Sequence, residues 1–204
     1  MLSRVILSAV FIASAGAAFA QTKPAVDQAK VETTVKATFS KASSEWKSRI
    51  ELDETQRVCT QTHNKVSVAQ ADAIQARELA RVVMPADGKF LGDWKKGYSV
   101  ANNGRGGQFS DPPGTVSGGN CFACHQMDPK EVSYGTLGPS LAAYGKDRKY
   151  DPDLIKDAWT KIYSSQAVVA CSNMPRFGTM KVLDEQQIKD VLAYLFDKES
   201  PVNK

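Results

Sequence analysis

Apolar residues near the C-terminus recur at intervals of three and four, a spacing that places them on one face of a helix. They are Ile188, Val191, Leu192, Leu195 and Phe196. Asp184 and Gln187 are spaced to form a capping box, and Leu183 is spaced to form a hydrophobic staple with Ile188. A second apolar face spans 152–164, after a predicted N-cap at Asp151 and a proline at the first helical position.

The N-terminal half has a weaker apolar pattern but no helix breakers. Neither Gly nor Pro occurs from Ala25 to Met84, so this stretch reads as helical. We predict a helix over 67–83, capped by Ser67, and treat the polar stretch 55–65 as a connection. The moderate apolar stripe over 29–50 leaves open whether this arm packs on its own chain or on a partner.

Beyond residue 87 the chain becomes glycine-rich and irregular, apart from a predicted helix over 92–102. No run alternates convincingly enough to propose a strand, so the predicted fold class is all-α. We divide the chain into a leader (1–20), a helical N-terminal extension (21–87) and a C-terminal domain (88–204).

The leader has the features of a secretory signal peptide. Arg4 precedes an apolar run, and Ala18 to Ala20 form a small-residue cleavage site. We expect cleavage after Ala20 and export to the periplasm. The apolar run is too short and alanine-rich for a membrane span. The formal net charge of the whole chain is only +4, which gives no electrostatic argument for nucleic-acid binding.

The segment Cys121-Phe122-Ala123-Cys124-His125 is the signature of covalent c-type haem attachment. Two thiols at this spacing can form thioethers to the two vinyl groups of one haem, and the next residue, His125, can then ligate the iron. A redox dithiol would require an α/β context that the sequence lacks. A zinc site would have to recruit Cys59, His63 or Cys171, whose spacing fits no common pattern.

The second axial ligand is predicted by elimination. His63 lies in a polar stretch and is expected at the surface, Met127 is too close to His125, and Met84 is expected in the core. Met174 and Met180 remain. We favour Met174, because it lies in a turn-rich segment and is followed by Pro175, which fixes the backbone.

Two further expectations follow from haem ligation by His125 and Met174. Filling both axial positions leaves no site for oxygen or substrate, so the haem should transfer single electrons. A peroxidase or sensor would instead need an open position. The Gly138-Pro139 turn can place the Pro139 carbonyl where it accepts a hydrogen bond from Nδ1–H of His125, while Nε2 ligates the metal.

These features resemble the class I cytochromes c. The resemblance covers about 92–199 and rests on the haem motif, the segment 138–141, a Met-Pro pair and a capped last helix. The segments 92–97, 103–109, 118–121 and 172–178 more narrowly resemble the SoxX family of monohaem cytochromes. Within them, Asn-Gly-Arg-Gly-Gly-Gln and Asn-Met-Pro-Arg-Phe-Gly are the most specific.

The resemblance implies a subunit of a periplasmic SoxAX-type L-cysteine S-thiosulfotransferase. Such complexes join thiosulfate oxidatively to a cysteine of the carrier SoxYZ. This chain would be the non-catalytic subunit, paired with a SoxA-type cytochrome and passing electrons to a small soluble cytochrome c. The alternative is a free-standing periplasmic electron carrier for another oxidase or reductase.

Cys59 and Cys171 remain outside the haem motif. The periplasm is oxidising, so a disulfide between them is the simplest interpretation, and it would tie the N-terminal extension to the segment that carries Met174. Two free thiols are the alternative, because sequence alone does not show that the sulfurs approach each other.

Overall fold

A computed structural model describes residues 26–108 and 110–204. The predicted leader and its cleavage site, together with Phe109 of the segment 103–109, lie outside the described residues. Within the described ranges the regular elements are helical and there is no strand, which confirms the all-α prediction. The α-helices are α1 (Gln28–Thr38), α2 (Ser44–Ile50), α3 (Glu54–Gln61), α4 (Val68–Leu79), α5 (Trp94–Asn102), α6 (Tyr144–Asp147), α7 (Pro152–Tyr163) and α8 (Glu185–Phe196). Short 3₁₀ turns cover Cys121–Ala123, Ser165–Ala167 and Pro201–Asn203.

The predicted helix caps are confirmed. Asp184 accepts a hydrogen bond from the backbone N–H of Gln187 (2.8 Å), and the Gln187 side chain accepts one from the backbone N–H of Asp184 (3.0 Å). Asp151 caps α7, and Ser67 caps α4. The helix α4 ends at Leu79 rather than at residue 83.

The prediction of a connection over 55–65 was wrong, because most of this stretch forms α3. A capping box between Asp53 and Gln56 starts the helix. Its buried face consists of Thr55 and Cys59, which are small or polar residues. A search for large apolar residues at helical spacing cannot detect such a face.

The chain divides into two compact units, Met1–Glu51 and Leu52–Lys204. In the described part of the first unit, Asp27 caps α1 through the backbone N–H groups of Ala29 and Lys30, and no residue of α1 is buried. The second unit contains α3 to α8. The helices α3 and α4, which we assigned to the N-terminal extension, therefore lie in the same unit as the haem motif.

The helices α5 and α8 pack closely at Gly97. A Cβ atom at this position would lie 2.0 Å from the carbonyl oxygen of Asp190, so only glycine permits this approach of the two backbones. Tyr98 and Tyr194 pack edge to face beside the contact, with ring centroids 5.7 Å apart. This contact fixes α5, and hence the chain leading to the haem motif, against α8.

The core continues around Trp159 of α7, which is fully buried. Its indole N–H donates to the carbonyl of Val83 (3.0 Å) and so fastens the segment after α4 to α7. Phe90 packs edge to face on the same ring. Met84 was expected in this core, but it is 46 % exposed. The helix α4 ends five residues before it, so Met84 does not continue the buried face of that helix.

Candidate functional site

The haem motif begins as a single 3₁₀ turn. The backbone N–H groups of Cys124 and His125 both donate to the carbonyl of Cys121, at 3.1 and 2.9 Å. Asn120, immediately before the turn, has φ = 46°, in the left-handed region. The tight turn holds Cys121, Cys124 and His125 within one short stretch of fixed backbone.

The loop 135–141 lies directly on this turn. The backbone N–H of Gly138 donates to the carbonyl of Cys124 (2.8 Å), and that of Leu141 donates to the carbonyl of Gln126 (2.7 Å). A Cβ atom at Gly138 would lie 2.1 Å from Cε1 of His125. The absence of a side chain at residue 138 is therefore what allows the loop to contact the imidazole.

The same loop orients the imidazole of His125. Its Nδ1 lies 2.8 Å from the carbonyl oxygen of Pro139. A carbonyl can only accept a hydrogen bond, so Nδ1 carries the proton and the neutral ring keeps a lone pair on Nε2. This is the arrangement that suits an imidazole as a metal ligand.

His125 and Met174 line one small apolar cavity of about 40 Å³, and Cys121 shares its wall. The remaining lining side chains come from the core: Met127, Leu141, Ile162, Phe177, Leu183, Val191 and Leu195. Cys124 has a free thiol and lies outside this lining set. The chemistry of this lining fits a haem. The surrounding side chains are apolar, as the haem faces are, and an imidazole nitrogen and a thioether are ligands that haem iron accepts.

The thiol of Cys121 is not a reactive thiolate. Its burial raises the pKa to about 12, so the group is neutral at ordinary pH. Redox-active cysteines have lowered pKa values instead. In the described part of the chain, no three His, Cys, Asp or Glu side chains gather into a metal-binding group.

The remaining methionines and histidine lie elsewhere. Met127 is fully buried and also lines the cavity, although it follows His125 by only two residues. Met180 is half-buried and is not part of the cavity wall, and His63 is exposed. Of the two methionines left by elimination, the cavity contains Met174.

Cys59 of α3 and Cys171 are joined by a disulfide. The two residues are 112 positions apart in sequence, and with Ile74 of α4 they form a small buried cluster. The bond links α3 to the start of the segment 171–177, which contains Met174. We refer to this segment as the Met174 loop.

Sequence reasoning did not detect a buried ion-pair cluster beside the Met174 loop. Arg176 is 5 % exposed, and its Nη1 lies 2.9 Å from Oε1 of the fully buried Glu78 and 2.8 Å from Oδ2 of Asp53. Thr55 and Ser164 also donate to Glu78, at 2.7 and 3.0 Å. The helix α4 also carries Asp72 and Arg77, so nothing in its sequence distinguishes Glu78 as the buried charge.

The residues 112–195 match the family model described as cytochrome c oxidase, cbb3-type, subunit III. This range contains the haem motif, α7 and the Met174 loop. Over the full chain, the protein is 36 % identical to an uncharacterized lipoprotein of Aquifex aeolicus (strain VF5), across 211 aligned residues and 98 % of that relative's length.

The all-α fold, the haem motif at an apolar cavity and the matched domain define a class I-like cytochrome c, a haem c protein that transfers electrons. The chain belongs to the same family as the Aquifex lipoprotein, with which it aligns over its entire length. Within residues 26–108 and 110–204, no helix is both long and apolar enough to cross a membrane.

Proposed function

We propose that this chain carries one haem c, attached covalently through Cys121 and Cys124, with His125 and Met174 as the axial iron ligands. One observation carries the proposal. Met174 and His125 lie 49 positions apart in the chain yet line the same apolar cavity, whose wall also contains Cys121.

The haem would supply a one-electron redox centre, and the chain's own residues would hold and tune it. The Pro139 carbonyl fixes the protonated Nδ1 of His125, which leaves Nε2 available to the iron. A thioether as the other ligand favours the reduced iron and raises the potential. The apolar wall limits water and so favours the less charged state of the iron.

The finer proposal is that the protein is the electron-transfer subunit of a periplasmic SoxAX-type L-cysteine S-thiosulfotransferase. Two sequence segments support it, 103–108 and 173–178. The first lies beside the haem motif, where the N–H of Gly118 donates to the Arg105 carbonyl (2.9 Å) and that of Asn120 to the Asn103 carbonyl (3.0 Å). The second contains Met174 and Arg176. The first segment therefore holds the chain just before the haem motif, and the second contributes Met174 and Phe177 to the cavity wall.

The proposed partners follow from that role. A SoxA-type cytochrome would hold the catalytic haem and act on the SoxYZ carrier, and a small soluble cytochrome c would accept the electrons. No thiosulfate site is proposed in this chain. Export to the periplasm, with cleavage after Ala20, belongs to the same proposal.

Replacing Met174 with Ala tests the axial ligand. The ferric variant should lose the near-infrared methionine-to-iron charge-transfer band and show a lower potential, because the neutral sulfur ligand is removed. Met180→Ala is the matched control, since Met180 lies outside the cavity wall, and it should retain the band. An unchanged band in Met174→Ala would exclude Met174 as the ligand.

Co-purification tests the subunit role. The tagged full-length chain, isolated from thiosulfate-grown cells, should bring down a larger cytochrome with its own Cys-x-x-Cys-His motif. Isolation of the chain alone, with its haem intact, would contradict the SoxAX-type role and leave the axial ligation unaffected.

A free-standing carrier for another oxidase or reductase is the second candidate. This candidate is supported by the matched family model, which is described as an oxidase subunit. A chain that purifies alone and reduces or oxidises a membrane oxidase preparation directly would support this candidate.

A further inference from the structure

The Met174 loop is fixed at both ends. At its start, Cys171 is bonded to α3 through the disulfide and has φ = 56°, a left-handed conformation that is strained for a residue with a side chain. At its end, the N–H of Phe177 donates to the carbonyl of Ile162 in α7 (3.2 Å). Such a backbone persists only where its surroundings impose it.

Met174 itself is held through its backbone. Its N–H donates to the hydroxyl of Ser172 (3.2 Å), and its carbonyl accepts a hydrogen bond from the hydroxyl of Ser165. Ser165 follows Ser164 directly, so the position of this 3₁₀ turn determines where the Met174 carbonyl can lie.

Glu78 contacts the chain on both sides of this arrangement. Its Oε1 pairs with Arg176, two residues after Met174, and its Oε2 accepts the hydrogen bond from Ser164, next to Ser165. Glu78 is fully buried and Arg176 nearly so, so water cannot replace either partner. Removing the carboxylate would leave Arg176 with Asp53 alone and Ser164 without its acceptor, which loosens both sides of the loop.

We propose that Glu78 of α4 is a positioning residue for the axial ligand, holding the Met174 loop closed over the haem cavity through Arg176 and Ser164. This inference rests on the proposed ligation by Met174. It assigns to the helical segment before residue 88 a role at the iron, since both Glu78 and the disulfide partner Cys59 come from that segment.

The test compares Glu78→Gln with Asp190→Asn in the full-length holoprotein. Asp190 is also a buried carboxylate, but it accepts from the N–H of Asp93 and from Gln186, at the contact between α5 and α8. Both variants replace a buried acid with its amide. Only Glu78→Gln should act on the Met174 loop.

The readouts are the near-infrared charge-transfer band and the affinity of the ferric protein for imidazole. Imidazole competes with the methionine, so its apparent affinity rises with the fraction of molecules in which the loop is open. We expect Glu78→Gln to bind imidazole about tenfold more tightly or better, because a broken buried ion pair favours the open loop. We expect Asp190→Asn to keep the wild-type imidazole affinity and band, whatever it does to stability.

A milder variant guards against misfolding of Glu78→Gln. Thr55→Val preserves side-chain volume but removes the hydrogen bond to Glu78 and the one that Thr55 accepts from Arg77. It should shift imidazole affinity in the same direction by a smaller factor. If Glu78→Gln yields no holoprotein, the Thr55→Val result decides. An imidazole affinity equal to wild type would overturn the inference.

Met174→Ala separates the two levels of the proposal. If Met174→Ala loses the band and the Glu78 and Thr55 variants behave as wild type, the positioning role fails and the ligation stands. If Met174→Ala retains the band, the ligation fails and the positioning role fails with it. Equal tightening of imidazole binding in Asp190→Asn would show a general loosening and would also overturn the positioning role.

Discussion

At the scale of single residues, the orientation of the His125 imidazole depends on the absence of a side chain at Gly138. The loop 135–141 can place the Pro139 carbonyl on Nδ1 only because Gly138 has no side chain against the ring. A 2.8 Å hydrogen bond then fixes both the tautomer and the plane of the imidazole. Gly138 thus leaves room for the ring, and Pro139 supplies the carbonyl that orients it.

Replacing Gly138 with Ala should therefore disturb the imidazole. The added Cβ would lie 2.1 Å from Cε1, so the ring or the loop must move and the bond to Pro139 must lengthen. We expect a loss of about 1–3 kcal/mol in the free energy of unfolding and a changed absorbance spectrum, measured on purified holoprotein. In the control Gly104→Ala, the new Cβ meets only the movable Asn120 side chain at 3.3 Å. A wild-type spectrum in Gly138→Ala would contradict this account.

The ionisation of Glu78 predicts a pH dependence of stability. Burial tends to raise its pKa, but the hydrogen bond from Thr55 and the charge of Arg176 outweigh burial and hold the pKa below its ordinary value of 4.5. A lowered pKa stabilises the fold above pH 4.5, and this stability is lost as pH falls through the folded-state pKa. Asp53 and Arg81 face the same carboxylate cluster, and the pKa of Asp53 is lowered as well.

The wild-type free energy of unfolding should therefore fall as the pH is lowered below about 4.5, and the fall should be shallower in Glu78→Gln. Near neutral pH, this variant should be less stable by about 1.5–3 kcal/mol, because Arg176 keeps Asp53 but loses its charged hydrogen-bond partner Glu78. Denaturant titrations at a series of pH values measure both effects. Parallel pH curves for the two proteins would show that Glu78 does not contribute to the acid transition.

At the scale of the elements, a close backbone contact fixes the position of α5 against α8, and a cap and a disulfide fix the position of α3. Gly97 lies where the two helix backbones meet, and α3 presents only Thr55 and Cys59 to the interior. Neither contact follows from a stripe of large apolar residues. The positions of α3 and α5 thus depend on specific close contacts, whereas α7 and α8 also bury broad apolar faces.

Gly97→Ala tests the contact between α5 and α8. The substitution has two opposing effects on stability. Alanine favours the helix by about 1 kcal/mol over glycine. However, its Cβ would lie 2.0 Å from the Asp190 carbonyl, a backbone atom that cannot move independently of α8. We expect the contact to dominate and to cost about 1–3 kcal/mol or more, seen as a lower denaturation midpoint. Ser99→Ala, on the exposed side of the same helix, should change stability little.

At the scale of the whole molecule, the haem cavity and the helices α3 and α4 belong to one compact unit, Leu52–Lys204. The disulfide, the hydrogen bond between Trp159 and Val83 and the ion pairs of Arg176 all join the segment 52–87 to the haem-bearing part. The smallest intact cytochrome should therefore begin near Leu52 and not at residue 88.

Two truncated chains, each expressed behind residues 1–20, test this boundary. A chain resuming at Leu52 should incorporate haem and keep the wild-type spectrum. A chain resuming at Gly88 loses Cys59, Glu78 and Asp53. The lost disulfide and the unpaired Arg176 should each cost several kcal/mol, against a typical total of about 5–15 kcal/mol. It should yield little folded holoprotein, and equal yields of the two chains would place the boundary at residue 88 instead.

The sequence alone determined the features that depend on neighbouring residues. The helices α7 and α8, with their caps, and the haem motif each span about a dozen residues or fewer, so local chemistry specifies them. The all-α class follows from such local patterns. By exclusion, the sequence also narrowed the proposed second axial ligand to Met174 and Met180, and the turn around Met174 favoured that residue. It misassigned α3 and Met84, because a small polar helix face and the exposure of a single side chain depend on what packs against them.

Only the tertiary structure decided which distant residues meet. It placed Met174 and His125 in one cavity, paired Cys59 with Cys171 across 112 positions, and set Glu78 against Arg176 across 98. No local pattern encodes these contacts, because they depend on how α3, α4 and α7 pack together. The residues proposed to bind haem could thus be identified from sequence, whereas the residues that hold the Met174 loop emerge only once the chain is folded.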